Sequence, residues 1–239
     1  MLAKACALWE GLAAVPVSFE AGHVRVVVSP RSLMCPPGWV GIVALQGAAI
    51  ATAPNYAGAE QVQAVLESLP VEHVTDPDLL RGILPIGKVL GPAALAYADS
   101  ECFRPAPVGA RAIEELASTD PGMRALMRSA GTADADESGL DEITSPAFTL
   151  RAGSQVIAAA GYRRWPSSTA HVSVLTAPEW RGQGLAAMVA TAAVKHALTQ
   201  ELTPQWRARS RESRHVARSI GFRELGSQLS VELSGGRRS

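Results

Sequence analysis

Cysteine, aromatic residues and charge are all scarce in this chain, and each scarcity excludes something. The three cysteines, Cys6, Cys35 and Cys102, are scattered through 239 residues without a CxxC spacing. An odd, dispersed set excludes a disulfide framework and a zinc-binding cluster. It predicts small buried side chains in a reducing compartment, and no metal site. No apolar run reaches the ~20 residues that a membrane helix needs; the longest, residues 39–54, is interrupted by Gln46 and several glycines. Lys4 and Glu10 fall where a signal peptide would be apolar, so a cytoplasmic protein with no membrane partner is expected. Charged residues make up 18% of the chain, and 22 basic residues balance 22 acidic ones. No overall field therefore recruits nucleic acid, and local clusters must be judged singly. What the chain does have is 47% hydrophobic residues, enough for one large domain or two small ones.

Periodicity divides the chain into short elements. Residues 24–28 (Val-Arg-Val-Val-Val) read as a strand stopped by Pro30, and residues 40–51 as strands bent near Gly47. Val62, Val65, Leu66 and Leu69 recur at i, i+3, i+4 and i+7, which predicts an amphipathic helix over 60–69, closed by Pro70. Short helices are expected at 78–83 and 92–98, and Pro105 and Pro107 mark a break. Ile113, Leu116, Met123, Leu126 and Met127 suggest helical material, while the acidic stretch 132–139 reads as a loop. A hairpin over 147–163 turns at residues 152–154. A strand at 171–176, a helix at 183–198, a strand at 205–209, a helix at 211–220 and a final strand at 228–233 follow. The basic tail, residues 235–239, is expected to fray.

Arg181-Gly182-Gln183-Gly184-Leu185-Ala186 is the most informative segment. It lies between the strand and the long helix. A helix start of this kind offers unpaired N–H groups together with the positive end of the helix dipole, and so binds anions. The two glycines let a phosphate chain approach the backbone without meeting a Cβ. Gly182, Gly184 and Ala187 also satisfy GxGxxA, but a dinucleotide fold wants the glycines directly after its strand and an acid about 20 residues on. Here residues 177–181 intervene, and Glu201 is not at a strand end. No Lys-Ser/Thr follows the last glycine, which excludes a P-loop.

The string from Val174 to Ala186 resembles the acetyl-CoA motif of the GNAT acyltransferase superfamily, Gln/Arg-x-x-Gly-x-Gly/Ala, with Arg181, Gly184 and Ala186 in its places. A second family mark follows at the right distance: a helix ending in Gly221-Phe222, then a last strand. The resemblance covers about residues 108–233 and is strongest over 147–233. It implies an α/β GNAT fold with a mixed, mostly antiparallel central sheet in a domain over 106–239. Residues 1–105 would form a smaller α/β domain, either a degenerate GNAT-like half or a lid over the acceptor site.

The resemblance also implies a site. Main-chain groups of Val174, Leu175 and Thr176 would pair with the pantetheine arm, and the N–H groups of Gly182, Gln183, Gly184, Leu185, Ala186 and Ala187 would hold the pyrophosphate. Arg181 would anchor the loop or the phosphates. The second motif departs from the family pattern. Ser210 and Ala217 stand where relatives often carry Asn and Tyr, and Ser213 matches the serine of that motif. Ala217 cannot serve as the tyrosine acid. No base is evident either: the expected strand face carries Ala170, Val172 and Val174. His171 has a suitable pKa but points by alternation to the other face. Glu137, Asp141 and Glu142 lie in a polar stretch that would wall the acceptor. The candidate catalytic residues are therefore His171, Glu142 and Ser210, and the cofactor set includes Ser210 and Ser213.

The reaction implied is transfer of an acetyl or other small acyl group from acyl-CoA, as co-substrate, to a primary amine, with a small molecule as partner and a monomer or homodimer as assembly. Two alternatives stand beside it. Arg207, Arg209, Arg211, Arg214 and Arg218 form a basic run suited to the 3′-phosphate of CoA or to an aminoacyl-tRNA donor. A non-catalytic CoA-binding module would equally lack an acid and a base.

Overall fold

The computed structural model describes residues 1–107 and 111–234, so the basic tail expected to fray lies outside the described residues. In chain order the elements run α1 (Leu2–Leu12), β1 (Val24–Val28), β2 (Val40–Leu45), β3 (Ala48–Ala53), α2 (Tyr56–Leu66), α3 (Pro77–Arg81), β4 (Ile86–Tyr97) and β5 (Glu114–Leu116). They continue α4 (Pro121–Ala130), α5 (Thr132–Ser138), β6 (Ala147–Ala152), β7 (Gln155–Trp165), β8 (Thr169–Thr176), α6 (Leu185–Thr199), β9 (Thr203–Ala208), α7 (Arg211–Ser219) and β10 (Arg223–Leu233). Single 3-10 turns occupy Val71–His73, Leu140–Glu142 and Pro178–Trp180. Among the described residues no helix is long and apolar enough to cross a membrane.

The chain forms two compact units: residues 1–95 with 224–239, and residues 96–223. The sequence places the boundary near 105 and assigns the last strand to the second domain. The division instead falls ten residues earlier, and β10 returns to the first unit. There it pairs antiparallel with β2, from Gly226 opposite Leu45 to Val231 opposite Val40. The strands of the first unit are ordered β1-β3-β2-β10-β4, with β1 parallel to β3 and β2 antiparallel to it. Asn55 caps α2, its side chain accepting the Gly58 N–H at 2.9 Å. Val62 and Leu66 of that helix are fully buried against Ile42, Ala51 and Leu229.

In the second unit the strand order is β9-β8-β7-β6-β5, antiparallel except for the parallel pair β8 and β9. Helix α6 makes the crossover that a parallel pair requires. It packs Leu185, Met188, Val189 and Ala193 against Phe148, Ile157 and Ala160 on one face of the sheet. On the other face Met123 and Leu126 of α4 pack with Leu140, Val156, Ala159 and Leu175. The glycine loop joins β8 to α6 at the edge of this helix-sheet-helix sandwich and is exposed.

Three local expectations fail. Residues 92–98, alanine-rich and read as a helix, belong to strand β4, where Ala93, Leu95, Ala96 and Tyr97 are buried; sheet pairing and burial override a helix propensity of tenths of a kcal/mol. The acidic loop at 132–139 is helix α5, ended by Gly139 in the left-handed conformation. Glu114–Leu116, read as helical, is an edge strand on β6.

The Gly-Phe step after α7 has a steric cause. Gly221 has φ +93°, and a Cβ there would stand 2.0 Å from the carbonyl oxygen of Cys102. Phe222 then packs edge-on against Trp206, with ring centroids 5.4 Å apart. Gly221→Ala should cost about 2 kcal/mol or more in urea denaturation. Gly153→Ala, at φ +58° but with nothing within 4 Å, should cost only ~1 kcal/mol. Equal losses would exclude the collision as the reason for glycine.

Candidate active site

The parallel strands β8 and β9 pair only at their starts, Thr169 with Thr203, Ala170 with Pro204 and His171 with Gln205. Beyond that last pair β8 continues to Thr176 and β9 to Ala208 without mutual pairing. The direction of the open groups follows from alternation. The Ala177 N–H donates to Ile157 of β7, so odd residues of β8 turn their amides to β7 and even residues turn theirs toward β9. The Val172 amide closes the last pair by donating to the Gln205 carbonyl, so the Val172 carbonyl, the main-chain groups of Val174 and the Thr176 amide face the gap. Leu175 does not: its amide faces β7, and its side chain is buried against α4. Of Leu175 and Thr176, only Thr176 turns its amide to the gap.

The glycine loop follows. Gly182 and Gly184 have φ of +75° and +76°, and nothing lies within 4 Å of where a Cβ would stand on either. Gly184 caps α6. Among the described residues no acceptor takes the N–H of residues 182–187. Gln183 is exposed, Leu185 is buried in the α6 core, and Ala186 and Ala187 are half-buried. The Thr176 side-chain oxygen, at the mouth of the loop, is buried and has no hydrogen-bond partner among the described residues. These features fit a diphosphate-bearing thioester carrier: a small-residue cradle, a row of unused donors, and an open strand edge leading away from them. Arg181 serves the loop itself. Its Nη2 donates to Asp134 of α5 at 2.6 Å and its Nε to the Thr176 carbonyl at 3.3 Å. Asp134, unnoticed in the sequence, lies in the stretch misread as a loop.

The candidate catalytic residues separate. Val174 packs with α6, and Ala170 with Ala197 of that helix, so the face on which a base was sought is filled core. His171 lies on the opposite face, where Ser173 donates to the Gly139 carbonyl. Its ring stacks on Trp165, with centroids 4.1 Å apart and planes 10° apart. Its Nδ1 lies 2.5 Å from Gln205 Oε1, so Nδ1–H donates and Nε2 keeps its lone pair. Desolvation lowers the His171 pKa to about 3; Arg207 and Arg163 add to the lowering, and the Gln205 bond opposes it. The imidazole is neutral at physiological pH. Glu142 pairs with Arg163 at 2.5 Å. Ser210 caps α7, accepting the Ser213 N–H at 3.1 Å, and Ser213 in turn accepts from Trp206 Nε1 at 2.9 Å. Both serine oxygens thus hold the β9–α7 joint together.

The arginine run is not a uniform solvated stripe. Arg209 pairs with Glu137. Arg207 lies with its guanidinium carbon 6.0 Å from the Trp165 ring centroid. It keeps solvent contact while surrounding protein lowers its pKa by desolvation, with Glu142 opposing. Trp165 and Gln205 were not picked out in the sequence. The signal was present, because the turn at 166–168 sets Arg163 opposite His171 and Trp165 opposite Thr169, all on one face. Among the described residues no group of three or more His, Cys, Asp or Glu is placed to hold a metal.

Residues 147–227 match the sequence model of the GNAT acetyltransferase family, about a third of the chain. A comparison with curated protein sequences gave no match. Among solved structures, a GCN5-related N-acetyltransferase from Kribbella flavida is similar at TM-score 0.50 and 16% identity, over 63% of this chain and 61% of that one. A GNAT-family protein from Novosphingobium aromaticivorans is similar at TM-score 0.48 and 23% identity, over 61% and 65%. A GCN5-related N-acetyltransferase-like protein from Streptococcus suis gives 0.45 and 17%, over 82% and 84%. The chain thus covers less than two thirds of the length of the first two. The likeness to the Kribbella flavida structure speaks for the fold alone, the mixed, mostly antiparallel α/β fold expected.

The half-buried histidine, stacked on Trp165, gives a pH prediction. In the unfolded chain its pKa lies near 6.5, and in the fold at about 3. Between those values the unfolded state binds the extra proton, so the neutral imidazole's contribution is complete above pH 6.5 and is lost as pH falls toward 3. His171→Gln should remove about 1–2 kcal/mol of the stability that the parent loses between pH 6.5 and 4.5. Superimposable stability–pH curves for the two proteins would refute a histidine held neutral.

Proposed function

We propose that the chain transfers an acetyl or other small acyl group from acyl-CoA to a primary amine. One observation carries the reading: β8 and β9 part after His171 and Gln205 beside a helix start whose amides have no acceptor among the described residues. The amides of residues 182–187 would hold the diphosphate, and the Val172 carbonyl, the main-chain groups of Val174 and the Thr176 amide the amide-bearing arm, as an added strand. Bound acyl-CoA supplies an acyl group activated as a thioester.

The protein's part is positioning and polarisation. His171 is too weak a base to keep the amine's proton. Its Nε2 lone pair instead accepts a hydrogen bond from the amine and orients it, while Gln205 fixes the tautomer. Glu142 balances Arg163 and Arg207 on the same face. A C–N bond replaces the C–S bond, and one proton passes from nitrogen to the thiol sulfur through solvent, since Ala217 offers no acid. Ser210 and Ser213 act as a structural joint near the site. An RNA-borne donor is disfavoured because Arg209 is paired with Glu137 and Arg207 lies over Trp165.

Gly184→Val places a branched side chain at φ +76°, in front of the unpaired amides. In a calorimetric titration it should weaken acetyl-CoA binding at least about 100-fold, with a melting transition still cooperative. An unchanged affinity in the folded variant would remove the loop from the site.

A further inference from the structure

Helix α5 is fastened to both of the strands that part. Asp134 pairs with Arg181, in the glycine loop that follows β8, at 2.6 Å. Glu137 stands at i+3 on the same helix and so shares a face with Asp134. It pairs with Arg209, the first residue after β9, whose Nε donates to Oε1 at 2.8 Å. A helix of seven residues thus links the far ends of two strands whose mutual pairing stops at His171 and Gln205. A further tie, from the Ser173 hydroxyl to the Gly139 carbonyl at 3.2 Å, sets the end of α5 beside the unpaired stretch of β8.

The bridge has firm neighbours and little packing of its own. No residue of α5 is buried, whereas Met123 of α4 before it and Leu140 just after it are fully enclosed. One glycine stands at each end. Gly131 joins α4 to α5 at φ +86° and ψ 159°, a conformation that essentially only glycine adopts, and Gly139 follows α5 at φ +59°. Nothing lies within 4 Å of a Cβ built on Gly131, and only the Ser173 hydroxyl, at 3.5 Å, meets one on Gly139. Both glycines therefore answer to backbone conformation and not to crowding. A short helix without a buried side chain, set between two such residues, opens at low cost. The two ion pairs are each about half exposed, so they hold weakly and salt screens them. Weak fastenings, permissive ends and anchored flanks make a cover that opens and shuts.

We propose that α5 is a hinged strap across the gap between β8 and β9, latched to one side by Asp134–Arg181 and to the other by Glu137–Arg209, and that its release sets how fast acyl-CoA enters and leaves. This rests on the transfer reading above, which puts the carrier in that gap. Gly131 and Gly139 are the hinges. The latches govern passage and not affinity, because a strap that must open for entry must open equally for exit.

The test is stopped-flow binding and release of acetyl-CoA by the full chain. D134A and E137A should each raise the association and the dissociation rate constants about two- to fivefold, with Kd moved less than about twofold. Raised salt should narrow the difference from the parent. D136A, on the same helix but outside both pairs, removes the same charge and should leave the dissociation rate at the parent's value. E137A carries the reading if D134A disturbs the glycine loop through Arg181, with melting curves as the check on folding. Loss of a negative charge alone speeds association only, and loss of a direct contact speeds dissociation only. Either of those patterns in E137A, or D136A behaving as E137A does, would overturn the proposal. Acetyl-CoA bound by the parent with rates unchanged in both latch variants overturns this inference alone, whereas no binding by the parent removes the transfer reading with it.

Discussion

The pairing of His171 with Gln205 is the last contact between two parallel strands that then go separate ways, and the candidate site depends on that ending. A parallel pair normally continues its ladder to the end of the shorter strand. Here β8 runs five residues further and β9 three. The Val172 carbonyl, the main-chain groups of Val174 and the Thr176 amide are thereby left without a strand partner, at the place where α6 also begins with amides that no acceptor takes among the described residues. Unmade backbone hydrogen bonds are costly inside a protein. Their concentration along one gap and one helix start is what a ligand that mimics a strand at one end and carries an anion at the other would satisfy.

The two faces of the same strands are divided between stability and chemistry. The even residues of β8 point into the α6 core, where Val174 and Ala170 are packed among alanines and leucines. The odd residues carry the polar side chains: His171 with its stacked indole, and Ser173 tied to the Gly139 carbonyl. A sheet one face of which is sealed by a nearly all-apolar helix can place charged and hydrogen-bonding groups on the other face at little cost to folding. The arginines differ accordingly. Arg181 and Arg209 brace α5 against the loop and β9 through Asp134 and Glu137, whereas Arg163 and Arg207 face the histidine.

Much of this was legible in the chain itself. The strand–glycine loop–helix order, the hairpin over 147–163 and the Gly-Phe ending were readable because each rests on a local rule: period two, period 3.6, or a backbone conformation that only glycine takes easily. Errors fell where neighbours decide. Residues 92–98 have the composition of a helix but are extended, because burial in a sheet outweighs alanine's preference. Residues 132–139 looked like a loop because acidic residues crowd them, yet Asp134 there finds Arg181, 47 positions away. The base was sought on the face of Val172 and Val174, and that face proved to be closed by α6.

By itself the sequence determined the class of fold, the position of the glycine loop and the residue types available for chemistry, since these follow from patterns within some twenty residues. Only the tertiary structure decided that β10 joins the first unit, that Leu175 turns its amide away from the gap, and that His171, Trp165, Gln205 and Arg207 share one face with Arg163 and Glu142. Those facts depend on strand register and on pairing between distant segments. A shift of a single residue in either would exchange the two faces, and no local pattern fixes it.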